Sequence, residues 1–134
     1  MKKLILVLTL MAIPSIFCQE KPLNIQGAWK MVYQKFTTPY NTNINPLQNL
    51  EIKIYSKSYF SFGCQGTEGA SAGGGKYTLE GNKYVESIIY FPDPTYINRE
   101  ITFTIEMKND TLYQYGIIDS TSNLHVLDKF VRLD

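Results

Sequence analysis

Past residue 26, apolar side chains return at every second position and not at every third or fourth. Trp29, Met31 and Tyr33 alternate with Lys30 and Gln34, and Ile101, Phe103, Ile105 and Met107 alternate with Glu100, Thr102, Thr104 and Glu106. That is the period of a β-strand with one face on a core and the other in water. No stretch of ten or more residues keeps apolar side chains at helical spacing, whereas short runs rich in Tyr, Ile, Val, Phe and Thr recur between turn residues. The pattern predicts strands near 27–36, 49–56, 58–63, 75–80, 83–91, 99–108, 111–118 and 124–133. Eight strands joined by hairpin-sized loops suit a sheet closed on itself, because closure removes the unpaired edges an open sheet exposes. The fold class is therefore all-β, an eight-stranded antiparallel up-and-down barrel. At most one short helical turn has room, over Pro92-Asp93-Pro94-Thr95-Tyr96-Ile97-Asn98.

The turns fit this order. Glu80-Gly81-Asn82-Lys83 and Lys108-Asn109-Asp110-Thr111 place residues that tolerate positive φ between β-rich runs, which predicts two tight hairpins. Gly73-Gly74-Gly75 is followed by Lys76-Tyr77-Thr78-Leu79, a strand and not a helix, so the helix N-terminus that phosphate binding requires is missing. Sharp curvature or a bulge accounts for the three glycines better. Residues 37–48 form the longest polar, proline-bearing connection, read either as a lid over one mouth of the barrel or as an ordinary surface loop.

Parity then selects the interior. With Trp29 inside, Met31 and Tyr33 follow it; strand two contributes Leu50, Ile52 and Ile54, strand three Phe60 and Phe62, strand four Tyr77 and Leu79, strand six Phe103 with its alternates, and strand seven Leu112 and Gln114. Strand five offers two faces, Tyr84, Glu86, Ile88 and Tyr90 against Val85, Ser87, Ile89 and Phe91, and the tyrosine face is taken as inward. The candidate ligand-contacting residues of the interior are Met31, Tyr33, Ile52, Phe60, Tyr77, Glu86, Tyr90, Phe103 and Gln114. Glu86 is read as a buried structural carboxylate beside tyrosines and Gln114, with no obvious cationic neighbour.

Composition narrows the function classes. Met1-Lys2-Lys3 followed by the apolar run Leu4 to Ile13 is an export signal, too short to span a bilayer and followed by no stop-transfer pattern. Residues 1–18 are expected to be cleaved, leaving a short segment 19–24 and one domain over 25–134 in a secreted or periplasmic protein. Lipidation of Cys18 is the disfavoured alternative, since Phe17 stands where that chemistry wants a small residue. The leader removes two of 13 basic residues, leaving 11 against 12 acidic, a net charge of about −1. No electrostatic case for nucleic acid or for an anionic membrane remains. Cys64 is left as a lone, half-buried thiol. His125 is the only histidine, without a nucleophile motif beside it, and no His, Cys and carboxylate set has metal-ligand spacing, so the sequence indicates no enzyme, no metal and no cofactor.

Gly27-Ala28-Trp29-Lys30-Met31-Val32, the run from Gly73 to Glu86, Asp110-Thr111-Leu112-Tyr113-Gln114 and Lys129-Phe130-Val131-Arg132-Leu133 together resemble a family of secreted bacterial lipocalin-like domains of unassigned function. The resemblance covers nearly all of residues 25–133. It implies that Gly27 and Trp29 close the base of the barrel and that Arg132 lies across the indole as a cation–π partner, tying last strand to first. The chain lacks the Thr-Asp-Tyr motif, the disulfide and the C-terminal helix of larger lipocalins.

Two function classes follow. The first is a barrel that binds a small apolar or amphipathic molecule in its interior. The second is a solid-core barrel acting through its surface as a protein-interaction or inhibitor module.

Overall fold

A computed structural model describes residues 22–45 and 50–134. The expected leader, its cleavage point and Cys18 lie outside these residues, as does the 46–49 part of the long polar connection. Among the described residues, nine strands form one sheet: β1 (Gly27–Thr37), β2 (Thr42–Ile44), β3 (Leu50–Tyr55), β4 (Tyr59–Gly66), β5 (Gly69–Glu80), β6 (Lys83–Tyr90), β7 (Glu100–Lys108), β8 (Thr111–Asp119) and β9 (Leu124–Arg132). Every pairing is antiparallel. β1 and β3 to β9 pair in chain order, and β1 also pairs with β9, from Trp29 opposite Arg132 to Thr37 opposite His125, so eight long strands close into a barrel. β2 is a short addition from the polar connection that folds back on the end of β1, with Lys35 opposite Ile44.

Local chemistry explains the connections. Gly81 has φ +60°, and Asn109 and Asp110 have φ +49° and +60°, giving the two tight hairpins read from the sequence. The helical piece is one 3₁₀ turn, Pro94–Tyr96. Asp93 caps it, accepting from Thr95 N at 2.9 Å and Thr95 Oγ1 at 2.7 Å, with Pro94 supplying a fixed φ at the first position.

The β4–β5 hairpin runs several residues further than the sequence pattern predicts, because glycine hides a strand from propensity. Gly73 and Gly75 sit directly opposite Phe62 and Phe60. A Cβ on Gly73 would meet the rings of Phe62 and Phe91, and one on Gly75 would meet the Ser87 backbone. The register shifts between Gly74 and Gly75, a bulge in the place where the glycine run had suggested one.

Three of the interior candidates lie on the outer wall. Ile52 is one, because β3 is turned over relative to the apolar pattern: Trp29 pairs with Lys53 and Gly27 with Tyr55, so Glu51, Lys53 and Tyr55 share the inner side while Ile52 and Ile54 point out, Ile54 being 50% exposed. Tyr33 is the second. A bulge between Met31 and Tyr33 reverses parity, so Gln34 and Phe36 turn inward opposite Asp128 and Val126, and Tyr33 packs outside against Lys129 Nζ at 4.6 Å. Tyr90 is the third. The Gly74 bulge carries it out opposite Gly74, where it is 46% exposed, and turns Phe91 in. Met31, Phe60, Tyr77, Glu86, Phe103 and Gln114 are buried inside the barrel.

Candidate functional site

The interior has three levels. At the base, Trp29 is fully buried and Arg132 lies over it, Cζ 4.3 Å from the ring centroid. The indole donates from Nε1 to the Ile25 carbonyl at 2.8 Å, and Arg132 Nη1 donates to the Gln26 carbonyl at 2.7 Å, so the segment before β1 is bound across the bottom. Gly27 holds φ +122°, and a Cβ there would stand 2.7 Å from Arg132 Nη1. The positive φ requires glycine at this position, and a side chain would also displace the guanidinium.

The middle level is an ion pair inside an aromatic box. Lys53, 4% exposed, donates to Glu86 Oε1 at 2.5 Å and to Gln114 Oε1 at 3.3 Å. Tyr84 donates to the same Glu86 oxygen at 2.8 Å, and Tyr55 to Gln114 Oε1 at 3.4 Å. The rings of Tyr55, Phe60, Tyr84 and Phe130 stand with centroids 5.1 to 5.8 Å from Nζ. Burial, the largest single influence, lowers the lysine's pKa, but the charge and hydrogen bond of Glu86 together with Tyr55 and Glu51 outweigh it and the value is raised, so the ammonium is firmly charged. Burial pushes Tyr55 up to about 12 and holds Tyr84 well above the ordinary phenol range, so both serve as neutral donors. Lys53 is thus the cationic neighbour that the sequence reading of Glu86 did not contain.

Above this floor, toward the end where β1 finishes and β3 and β9 begin, the lining is mixed. Phe36, Phe62, Phe91, Tyr96 and Ile118 turn toward the core yet stay half-buried. Asp128, on β9, is 6% exposed and faces the barrel axis opposite Gln34 and Gln114. Gln34 interacts with its carboxylate, and Asn45 Nδ2 donates to Gln34 Oε1 at 2.8 Å. The carboxylate oxygen Oδ1 has no hydrogen-bond partner. Burial pushes Asp128 up to about 7, with Lys53 and Gln34 opposing and Glu51 and Glu86 adding to the rise. Glu51, on the mouth side of Lys53, is also raised, chiefly by burial.

Among the described residues the largest concavity lies at the base, along Pro22, Leu23, Gly81, Asn82 and Ile105 to Lys108; smaller ones run along Arg99 to Thr102 and Ile117 to Thr121, and on the outer wall along Ile52, Gly63, Cys64 and Ala70 to Ala72, and Lys53, Glu86 and Asp128 line none of these. His125 is exposed, 3.1 Å from Asn123 Oδ1, and Cys64 Sγ rests 2.9 Å from Ser71 Oγ. Among the described residues no group of three or more His, Cys, Asp or Glu is placed to hold a metal ion, and no helix is long and apolar enough to cross a membrane.

Sequence reasoning missed Lys53, Tyr55, Asp128, Gln34 and Glu51. The signal for the first two was present in β4: once Phe60 and Phe62 are inside, the short Ser56-Lys57-Ser58 turn puts Tyr55 opposite Phe60 and Lys53 opposite Phe62.

A lipocalin-like protein from Bacteroides uniformis superposes on this chain with a TM-score of 0.53 at 15% identity, covering 81% of this chain and 97% of its own. The fold is lipocalin-like. An uncharacterized protein from Bacteroides eggerthii superposes with a TM-score of 0.51 at 12% identity, covering 79% of this chain and 98% of its own. No family model and no curated protein matches the sequence. At these identities the likeness concerns the lipocalin-like barrel alone, and the function must be argued from the interior just described.

Proposed function

We propose that this chain is a secreted or envelope lipocalin-like barrel that binds a small, partly apolar molecule in the mouth half of its interior. The observation that carries this reading is the contrast along the barrel axis. Trp29, Tyr84, Ile105, Leu112 and Phe130 are each under 2% exposed and fill the lower interior, with aliphatic Leu23, Leu79 and Met107 half-buried at its end, whereas the aromatic Phe36, Phe62, Phe91 and Tyr96, with Ile118, face inward half-buried at the mouth. Half-covered inward aromatics above a rigid polar floor offer apolar walls and a few orienting groups, the usual make-up of a small-molecule site. The site is a shallow cup; the ion pair and its rings already fill the depth of the barrel. The surface-acting alternative has one observation in its favour, the uncharged outer stripe of Ile52, Ile54, Ser61, Gly63, Ala72 and Gly74 on β3 to β5.

Titration with a neutral solvatochromic dye such as Nile red tests the reading. Saturable one-to-one binding is expected, together with a rise in Tm, since a ligand that binds only the folded state adds about 2.7 kcal/mol at a hundredfold excess over its Kd. Val126→Trp, which fills the mouth beside Phe36, should abolish binding, and Tyr33→Trp, on the outer wall, should not. Absence of saturable binding to the parent protein overturns the cup and leaves the outer stripe as the working surface.

A further inference from the structure

We infer that the molecule taken into the cup carries a protonated amine, seated between Asp128 and Glu51 with its apolar body on Phe36, Phe62, Phe91 and Val126. This inference rests on the reading of the mouth as a binding cup and adds the chemical class of the ligand.

The argument starts from the buried charges. Among the described residues the interior holds one lysine, Lys53, and three carboxylates, Glu51, Glu86 and Asp128. Glu86 is taken: Lys53 and Tyr84 both donate to it. Lys53 is held between Glu86 and Gln114 under four rings, and its charge offsets only part of the burial of Glu51 and Asp128, both of which stay raised. Asp128 keeps Oδ1 without a partner although the residue is 6% exposed. A buried acceptor in this state is costly to a fold unless something donates to it, and an acceptor flanked by a second carboxylate selects a donor with positive charge.

The setting of Asp128 points the same way. Its carboxylate also interacts with Gln34, the residue opposite on β1, whose side-chain carbonyl accepts from Asn45 Nδ2. Glu51 interacts electrostatically with Asp128 and stands on the mouth side of Lys53, so a cation above the floor would face both acids. The rings and Val126 lie at the same end, and Phe62 and Phe91 are already paired, centroids 5.6 Å apart. An ammonium on a short hydrocarbon body satisfies the orphan oxygen, the excess of acid and the uncovered aromatics together. A neutral alcohol satisfies only the first and last, and a carboxylate opposes the second.

Calorimetric titration with hexylamine, hexan-1-ol and hexanoate, three probes of one length and different head groups, tests this. Hexylamine should bind at least about tenfold tighter than hexan-1-ol, the difference expected for a charge-assisted hydrogen bond over a neutral one, and hexanoate weakest. Asp128→Asn should remove at least about tenfold of hexylamine affinity and leave hexan-1-ol within about twofold; Glu51→Gln should act in the same direction and serves if the first variant does not fold. Equal binding of amine and alcohol, tighter binding of hexanoate, or an amine preference that survives both substitutions overturns the amine and leaves the cup intact. Failure of all three probes while Nile red binds also overturns the amine alone. Failure of the probes and the dye together overturns the cup itself.

Discussion

The two halves of the barrel treat buried polarity in opposite ways. Below, every strong donor and acceptor is matched: the Trp29 indole to the Ile25 carbonyl, Arg132 to the Gln26 carbonyl and the indole face, Lys53 to Glu86, Tyr84 to the same carboxylate. Above, Asp128 is buried with an oxygen unmatched, Glu51 has a raised pKa, and aromatic side chains point inward half-covered. Fully satisfied networks rigidify a core, whereas an unsatisfied group persists only where something else is gained. The lower half is built for persistence, the upper half for a guest.

The largest expected effect comes from breaking the matched half. Removing Glu86 strands the Lys53 ammonium among rings, and loss of one partner of a buried pair typically costs about 3–5 kcal/mol. Glu86→Ala should therefore unfold at much lower denaturant than the parent. Lys53→Met combined with Glu86→Leu should recover most of that loss, because two apolar groups of similar volume leave no buried charge behind. Chemical denaturation of the parent, the single and the double variant gives the comparison; a double variant as unstable as the single would mean that geometry, not charge, holds the centre.

The next effect is at the base. Arg132→Ala removes the cation over the indole, the aliphatic cover of the side chain and the bond to the Gln26 carbonyl, a loss of about 2 kcal/mol. Since Trp29 is the only tryptophan, emission should shift to the red at the same time. An unchanged maximum and an unchanged unfolding midpoint would show that the base is closed by packing of Ile25 alone.

These two halves were not equally legible in the sequence. The base was, through the resemblance to lipocalin-like domains, which implies that the tryptophan after glycine on the first strand and the arginine on the last close it together; the alternation of β7 and the asparagine turns fix their elements locally. The cup was not, and the reasons are physical. In Glu51-Ile52-Lys53-Ile54-Tyr55 the two isoleucines point outward, because the inward lysine gains an ion pair, an amide and four rings that no local pattern displays. Tyr33 and Tyr90 were misplaced by bulges, each an extra residue that reverses parity for the rest of the strand. Gln34, Phe36 and Phe91 enter the cup only because of those same reversals. Period-two reasoning is reliable until the first bulge, and here the bulges build the site.

The smallest effect has the opposite sign and belongs to the mouth. Asp128 is raised from 3.8 to about 7 by burial, so between those values the folded protein keeps a proton that the unfolded chain releases. Its contribution to stability is therefore present at low pH and lost as pH rises from about 4 to about 7; above that the ionised, half-matched carboxylate opposes folding. Asp128→Asn removes the titration while keeping the shape and the partner for Gln34. The variant should be more stable than the parent by roughly 1–2 kcal/mol at pH 8, with the gap closing as the pH falls toward 4. Thermal melts of both proteins across that range decide the matter. If the parent is the more stable at pH 8, Asp128 is ionised and fully matched, and the contrast between the two halves of the barrel disappears.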